Sequence, residues 1–408
     1  MKNELQQYAE SRSQGGLEIA KSVELFRRYA FVEMSCVRAL AYWFLQEPDW
    51  EVKLRLGYFL FAHAERVFEL QGRLEEMRGG HRGVSIEPAL ELVGEELVQA
   101  PDPQSFLAGL SLVVLRLTDA YREHLAAADP SANAMEIRIL QRLEQDAERE
   151  WRVIGDIRKA DTQPKRLEVA EWNLYMEGLI KSAGGLNGCK PRVAGTAHRP
   201  VSPRIAWPTP IVFNDRLHTA DLGTYEEKKT LPLRERCIGE FEVYFNELYA
   251  AALLATIIYD SWKLEAPRQY FLDIAHHFWD EVRHAEFGAL RLRELGVEPS
   301  KINMVLFERS QAMPLLHRLC YLTLGLEVFF MPRKSERARY YEQERDYRSQ
   351  LFADVDWSEE VNHVRYGKKW IDYFLRDDAR SVEDVQAEVS QYLSEYQTAT
   401  QTSRQAPW

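Results

Sequence analysis

The nine residues Asp280-Glu281-Val282-Arg283-His284-Ala285-Glu286-Phe287-Gly288 are answered 79 positions later by Glu359-Glu360-Val361-Asn362-His363-Val364-Arg365-Tyr366-Gly367. Both copies read acid, Glu, Val, x, His, x, x, aromatic, Gly. On a helix, residues three apart share a face, about 60° from each other and one turn along. A carboxylate and an imidazole so placed can hold one metal ion. The glycine seven residues past each Glu continues the same stripe, where a missing side chain lets another helix come close.

Upstream of each copy stands a Glu in an otherwise apolar helical run: Glu247 before Leu-Tyr-Ala-Ala-Ala-Leu-Leu, and Glu327 within Leu-Thr-Leu-Gly-Leu-Glu-Val-Phe-Phe. Glu247 precedes Glu281 by 34 residues and Glu327 precedes Glu360 by 33. Equal spacing brings each upstream Glu level with its Glu-x-x-His when two helices fold back on each other. Two such pairs make a four-helix bundle with a dinuclear carboxylate site. Four carboxylates against two divalent cations also leave no net charge to bury.

Residues 235–370 resemble the ferritin-like di-iron carboxylate superfamily. The order Glu, Glu-x-x-His, Glu, Glu-x-x-His matches throughout, and Asn246-Glu247-Leu248-Tyr249-Ala250 is similar to the first-helix motif of ferritins. The resemblance implies two metal ions, iron or alternatively manganese or a mixed pair, held by Glu247, Glu281, His284, Glu327, Glu360 and His363. Outside that set, Asp280 and Glu359 are candidates to accept the second ring N–H of the ligand histidines, and solvated surface charges are an equal alternative. His277, one turn before Glu281, is expected to be a core histidine or an outer partner of the ligands, with an extra ligand as the alternative. Tyr244, Tyr249, Phe287 and Phe330 are candidates to wall an apolar substrate pocket, or are simply core.

Carboxylate and imidazole ligands suit Fe(II) and Mn(II). The leading expectation is an oxidase or monooxygenase that uses O2 as co-substrate to oxidise a small organic molecule. No flavin or iron–sulfur motif is present, so an external reductase or reducing co-substrate is implied. The alternatives are a ferroxidase or iron-handling protein, and a non-catalytic interaction protein stabilised by metal. A storage cage fits poorly with a chain carrying a second bulky half.

The elements that would position these residues are almost all helical. Apolar spacing predicts helices over 17–47, 51–78, 105–127, 133–159 and 165–183, with 81–104 mixed because Pro88, Pro101 and Pro103 limit regular structure. In the second half, helices are expected over 233–262, 266–295 and 311–348. A fourth is expected to start after Asp356-Trp357-Ser358, where Asp or Ser caps it, and a last one to cover 381–396, with a loose tail after Thr398. Pro332 should kink the third. The fold class is therefore all-α: a helical bundle over 1–185, a Pro-rich linker or strap over 186–230, and a ferritin-like four-helix bundle with a C-terminal helix over 231–408. The strap is expected to pack as a linker, or else to cover the site with Arg192, His198, Arg199 or Arg204 toward an anionic substrate. The first bundle is either unrelated or a decayed repeat without metal: His63-Ala64-Glu65 echoes His284-Ala285-Glu286, but Leu60 precedes it, and Glu144 is followed at the third position by Ala147.

Composition narrows the class further. The 408 residues are ample for two or three domains, and a net charge of −11 argues against a nucleic-acid binder. The four scattered cysteines, the lack of an apolar N-terminal run and the lack of 18 uninterrupted apolar residues point to a cytoplasmic protein with no membrane partner. A homodimer is compatible with this composition.

Overall fold

The computed structural model describes residues 5–7, 15–79, 86–160, 166–193, 198–200, 202 and 204–405, with the side chains of 166 and 395–405 left aside. The chain divides into two compact units. The first comprises Met1–Glu47, Tyr58–Trp207 and Leu264–Leu272; the second comprises Pro48–Gly57, Pro208–Lys263 and Asp273–Trp408.

The helices in and leading into the first unit are α1 (Ile19–Gln46), α2 (Trp50–Glu76), α3 (Pro88–Val98), α4 (Pro103–Ala127), α5 (Ala134–Ala160) and α6 (Arg166–Ser182). The mixed stretch expected over 81–104 contains the helix α3 and the start of α4. Each begins with proline at its first position, where the missing N–H and fixed φ suit a helix start rather than preventing one. Asp102 caps α4 by accepting from Ser105 N at 2.9 Å. The unit is closed by large rings: Trp43 stacks on Phe106 at 5.1 Å, and Trp172, Tyr29 and Tyr121 are fully buried. In the strap, Arg192 pairs with Glu87, and Arg199 and Arg204 both pair with Glu96, so these arginines fasten it to the ends of α3. Gly195 to Ala197 of the strap, and Gly80, lie outside the described residues.

The second unit is a helical bundle: α7 (Tyr225–Lys229), α8 (Leu233–Phe245), α9 (Leu248–Asp260), α10 (Arg268–Glu294, from Asp273 onward), α11 (Val305–Ser310), α12 (Leu315–Cys320), α13 (Glu327–Gln343), α14 (Tyr347–Leu375) and α15 (Val382–Gln405). A two-residue parallel pair, β1 (His218–Thr219) with β2 (Lys301–Ile302), ties two loops together. The third helix expected over 311–348 is broken up: a π-helical turn, Tyr321–Leu326, joins α12 to α13 directly before Glu327. Such turns concentrate near functional sites. Pro332 lies inside α13. The fourth helix does not begin after Ser358. It starts at Tyr347, capped by Asp346 through Ser349 N at 3.1 Å, and Asp356 lies within it, fully buried. The last helix continues to Gln405, well past 396.

Two glycines allow close packing of the ligand-bearing helices. A Cβ on Gly288 would collide with the backbone of Phe245 at the end of α8, and one on Gly367 would collide with Thr323 of the π turn. These are the glycines that close the two motif copies. By length and hydropathy, Leu233–Lys263 and Leu315–Gln343 pass as membrane-crossing segments. The apolar window of the first is 83% buried within the protein, as for a core helix, and each carries a site glutamate.

Candidate metal centre

α10 and α14 each present one face of three residues: His277, Glu281 and His284 from α10, and Asp356, Glu360 and His363 from α14. Glu247, at the break between α8 and α9, and Glu327, the first residue of α13, complete the ring. All eight are buried. They form two groups whose ligand atoms lie within 4.8 Å of one another: His277, Glu281, Glu327 and His363, and Glu247, His284, Asp356 and Glu360. These are groups that could hold metal ions.

In the first group, His277 Nε2 is 2.7 Å from Glu327 Oε1 and 3.4 Å from Glu281 Oε1, and His363 Nδ1 is 3.3 Å from Glu281 Oε1. In the second, His284 Nδ1 lies 3.1 Å from Glu247 Oε2 and 3.4 Å from Asp356 Oδ1. Glu281 stands between the groups, its Oε2 being 3.8 Å from His284 Nδ1. Glu360 Oε1 likewise lies 3.8 Å from His363 and 3.9 Å from His284. Two carboxylates thus lie within 4 Å of histidine nitrogens of both groups.

The outer nitrogens fix the orientation of the rings. His363 Nε2 donates to Asp280 Oδ2 at 3.1 Å, and His284 Nε2 donates to Glu359 Oε2 at 2.9 Å. Each acceptor comes from the helix opposite its histidine, one of the two readings the sequence left open, and Arg283 bridges both acids. With Nε2 committed, each ring turns Nδ1 inward. Those atoms, His284 Nδ1 and His363 Nδ1, make no hydrogen bond, and neither do Glu247 Oε2, Glu327 Oε2 and Glu360 Oε2. Buried polar atoms are almost always satisfied, so five such atoms aimed at one centre point to a cation.

One cation is already present. Lys334 Nζ, two turns past Glu327 on α13, lies 2.6 Å from Asp356 Oδ1, 2.6 Å from Glu360 Oε1 and 3.2 Å from Glu247 Oε1. It does not neutralise the cluster. Burial, reinforced by Glu327 and Glu281, keeps the Glu360 carboxyl well above the ordinary glutamate range despite the ammonium. Burial would depress the two inward histidines, yet Asp356 and Glu247 around His284, and Asp280 and Glu281 around His363, outweigh it and hold both well above 6.5. In the protonation state that metal binding requires, with all five carboxylates ionised and the histidines neutral, the carboxylates and the ammonium give −5 + 1 = −4, the charge that two divalent cations cancel.

All six residues expected as ligands come together here. His277, for which the sequence left a ligand role as the lesser alternative, points a ring nitrogen into the first group. Asp356, expected as a helix cap, and Lys334 are additions. His277 and Asp356 each sit four residues before a motif Glu, so the repeat extends to His277-x-x-x-Glu281-x-x-His284 and Asp356-x-x-x-Glu360-x-x-His363. That i−4 spacing was the available signal, since residues four apart share a helix face. Of the four pocket candidates, Tyr249 and Phe330 line the cavity beside the cluster. Tyr244 and Phe287 do not: Tyr244 OH donates to Asp356 Oδ2 at 2.9 Å, and Phe287 stacks on Phe352 at 4.6 Å.

The chain is thus an all-helical protein with two adjoining buried acid–histidine groups in its second unit. Residues 235–406 match the model of a family described as "Protein of unknown function (DUF455)". No curated protein and no solved structure matches the chain.

Proposed function

We propose that the second unit is a dinuclear-metal oxidoreductase that uses O2 to oxidise a small organic molecule, with iron as the favoured metal and manganese or a mixed pair as alternatives. The observation that carries it is the pair of inward Nδ1 atoms on His284 and His363. Each imidazole is locked by a carboxylate on its outer nitrogen, the arrangement metal-bound histidines adopt. Glu281 and Glu360 each lie within 4 Å of a histidine nitrogen of both groups, as would suit ions bridged by carboxylates, and the ligand order matches the ferritin-like pattern.

Bound iron would supply one-electron redox chemistry and a place for O2. The chain's own residues do the rest. Asp280 and Glu359 hold the histidines in the tautomer that leaves Nδ1 free. Leu322, Phe330 and Tyr249 keep part of the approach dry. Lys334 offers a proton-bearing group within reach of Glu247, Asp356 and Glu360, so the carboxylates keep a cation partner as the charge of the centre changes. A cavity of about 320 Å³ reaches Glu247, Glu281, Glu327 and Glu360, which gives a substrate access and favours oxidation of a small molecule over iron storage.

The test is anaerobic Fe(II) loading followed by admission of O2 with a reductant. O2 uptake is expected, and Glu281→Ala should abolish it. Tight binding of two irons with no O2 uptake would overturn the oxidoreductase assignment and leave a structural metal.

A further inference from the structure

The cavity beside the cluster is uneven in charge. Its floor is made by the carboxylates of Glu247, Glu281, Glu327 and Glu360, whose charge the metals and Lys334 would cancel. Away from the floor its polar lining is largely cationic: Lys228, Arg333 and Arg337. The acids there do not balance them. Arg337 Nε is 3.1 Å from Glu240 Oε2, but Glu240 also takes Arg236 Nε at 2.9 Å and Tyr341 OH at 2.8 Å. Glu226, the other acid of the lining, is solvent-exposed on α7. Lys228 is 5% exposed and donates to the carbonyl of Gly223 at 3.0 Å. Burial and the neighbouring Arg337 charge push it below the ordinary lysine range. Arg333 is half-buried, lies over the rings of Phe329 at 4.9 Å and Phe330 at 5.4 Å, and meets no carboxylate among the described residues.

A half-buried guanidinium without an acid, beside a buried ammonium, is a standing cost that an anionic ligand would relieve. The fork of Arg333 matches a carboxylate or phosphate edge, and the aromatic rings under it hold the fork in place. Beside Thr224 and Asn246, the lining offers apolar surface from the Tyr225 ring, Leu306, Leu322 and Phe330, which suits a ring or short chain. We propose that this cavity binds a small organic anion, a carboxylate or phosphate monoester on an apolar body. The anionic group sits at Arg333 and Lys228, and the body runs toward Glu247 and Glu327. This names the substrate class of the oxidoreductase assigned above and rests on that assignment. With the metals absent, an entering anion meets four floor carboxylates with only Lys334 among them; with the metals bound, that charge is cancelled. Anion binding and metal binding therefore reinforce each other.

The probes are benzoate, phenyl phosphate and the neutral benzyl alcohol, titrated calorimetrically into full-length protein loaded with Mn(II), which avoids turnover. At least one anion is expected to bind at least tenfold more tightly than benzyl alcohol, and the better of the two identifies carboxylate or phosphate. Arg333→Met and Lys228→Met should each weaken it about tenfold at wild-type Mn(II) content and helicity, and Arg333→Lys should retain more binding than Arg333→Met. Binding of the alcohol as tight as that of the anions, binding of no probe, or anion binding unchanged in both methionine variants would overturn the proposal. Anion binding that depends on Arg333 in a protein that takes up no metal would keep the anion site and remove the dinuclear assignment instead.

Discussion

Each half of the chain buries a histidine among carboxylates, and the two clusters differ in where the positive charge comes from. In the first unit, Glu33 of α1 and Glu150 of α5 flank His63 and Arg66 of α2, all nearly or fully buried. His63 uses both ring nitrogens, Nδ1 on Glu33 and Nε2 on Glu150 at 2.8 Å. Arg66 contacts both acids, and Tyr121 of α4 donates to Glu33 Oε1 at 2.6 Å. The guanidinium, three residues past His63, fills the space between the acids, and neither histidine nitrogen faces it with a free lone pair. In the second unit the lone pairs of His284 and His363 do face the centre, and Lys334, the one lysine or arginine among the described inner groups, is outnumbered by five carboxylates. The same ingredients thus give a closed ion-pair network in one place and an open ligand set in the other.

The placement of the first cluster also fits a decayed repeat. An acid comes from α1, a histidine from α2, a tyrosine from α4 where the second unit has Glu327, and an acid from α5 followed at the third position by Val153 where a histidine would be. The acid is Glu150, not Glu144, which lies toward the surface and pairs with Arg122.

The comparison breaks most sharply by removing each internal cation. Arg66→Met strands Glu33 and Glu150 and should lower unfolding stability by about 3–5 kcal/mol in denaturant titrations, with no recovery on adding Mn(II). Lys334→Met should destabilise the metal-free protein by a similar amount, but here Mn(II) restores the melting temperature, because metal takes over the charge. Recovery of Arg66→Met by metal, or its failure in Lys334→Met, would erase the distinction.

A smaller effect is expected at the outer carboxylates. Asp280→Ala or Glu359→Ala frees an imidazole and should weaken metal binding about 10–100-fold, read by competition with a chelator. Gly367→Ala presses a methyl into Thr323 and should cost about 1–3 kcal/mol in melting experiments, with some loss of metal affinity through the π turn that leads to Glu327.

The mildest test is pH. Burial alone would raise the Glu150 carboxyl, but His63 and Arg66 hold it at about 2, against 4.5 in the unfolded chain. Its folded value is the lower one, so its contribution is complete above pH 4.5 and fades as pH falls toward 2. The melting temperature of Glu150→Gln should therefore fall less steeply than that of the wild type across that window.

Much of the second unit was legible because helix periodicity and the motif repeat constrain each other. Glu and His at i and i+3, with glycine at i+7, admit few other arrangements, and Gly288 and Gly367 do take close helix contacts. What was passed over or placed outside the inner groups was written in the same period. His277 and Asp356 lie at i−4, and Lys334 lies at i+7 from Glu327, but a lysine on a helix rich in charged residues reads as solvated until packing buries it. The break between α13 and α14 was also hidden, since Arg345 reverses the chain at φ 59° with neither glycine nor proline nearby. In the first unit, Arg66 and Tyr121 are ordinary residues of amphipathic helices, and only tertiary contact joins them to Glu33 and Glu150.

The most direct measurement is metal content by elemental analysis after anaerobic Fe(II) loading, on wild type, Glu281→Ala, His363→Ala and His63→Ala. The account predicts two metal ions per chain in the wild type, loss of metal in the first two variants and wild-type content in His63→Ala. No metal in the wild type, or full content in Glu281→Ala, would contradict it.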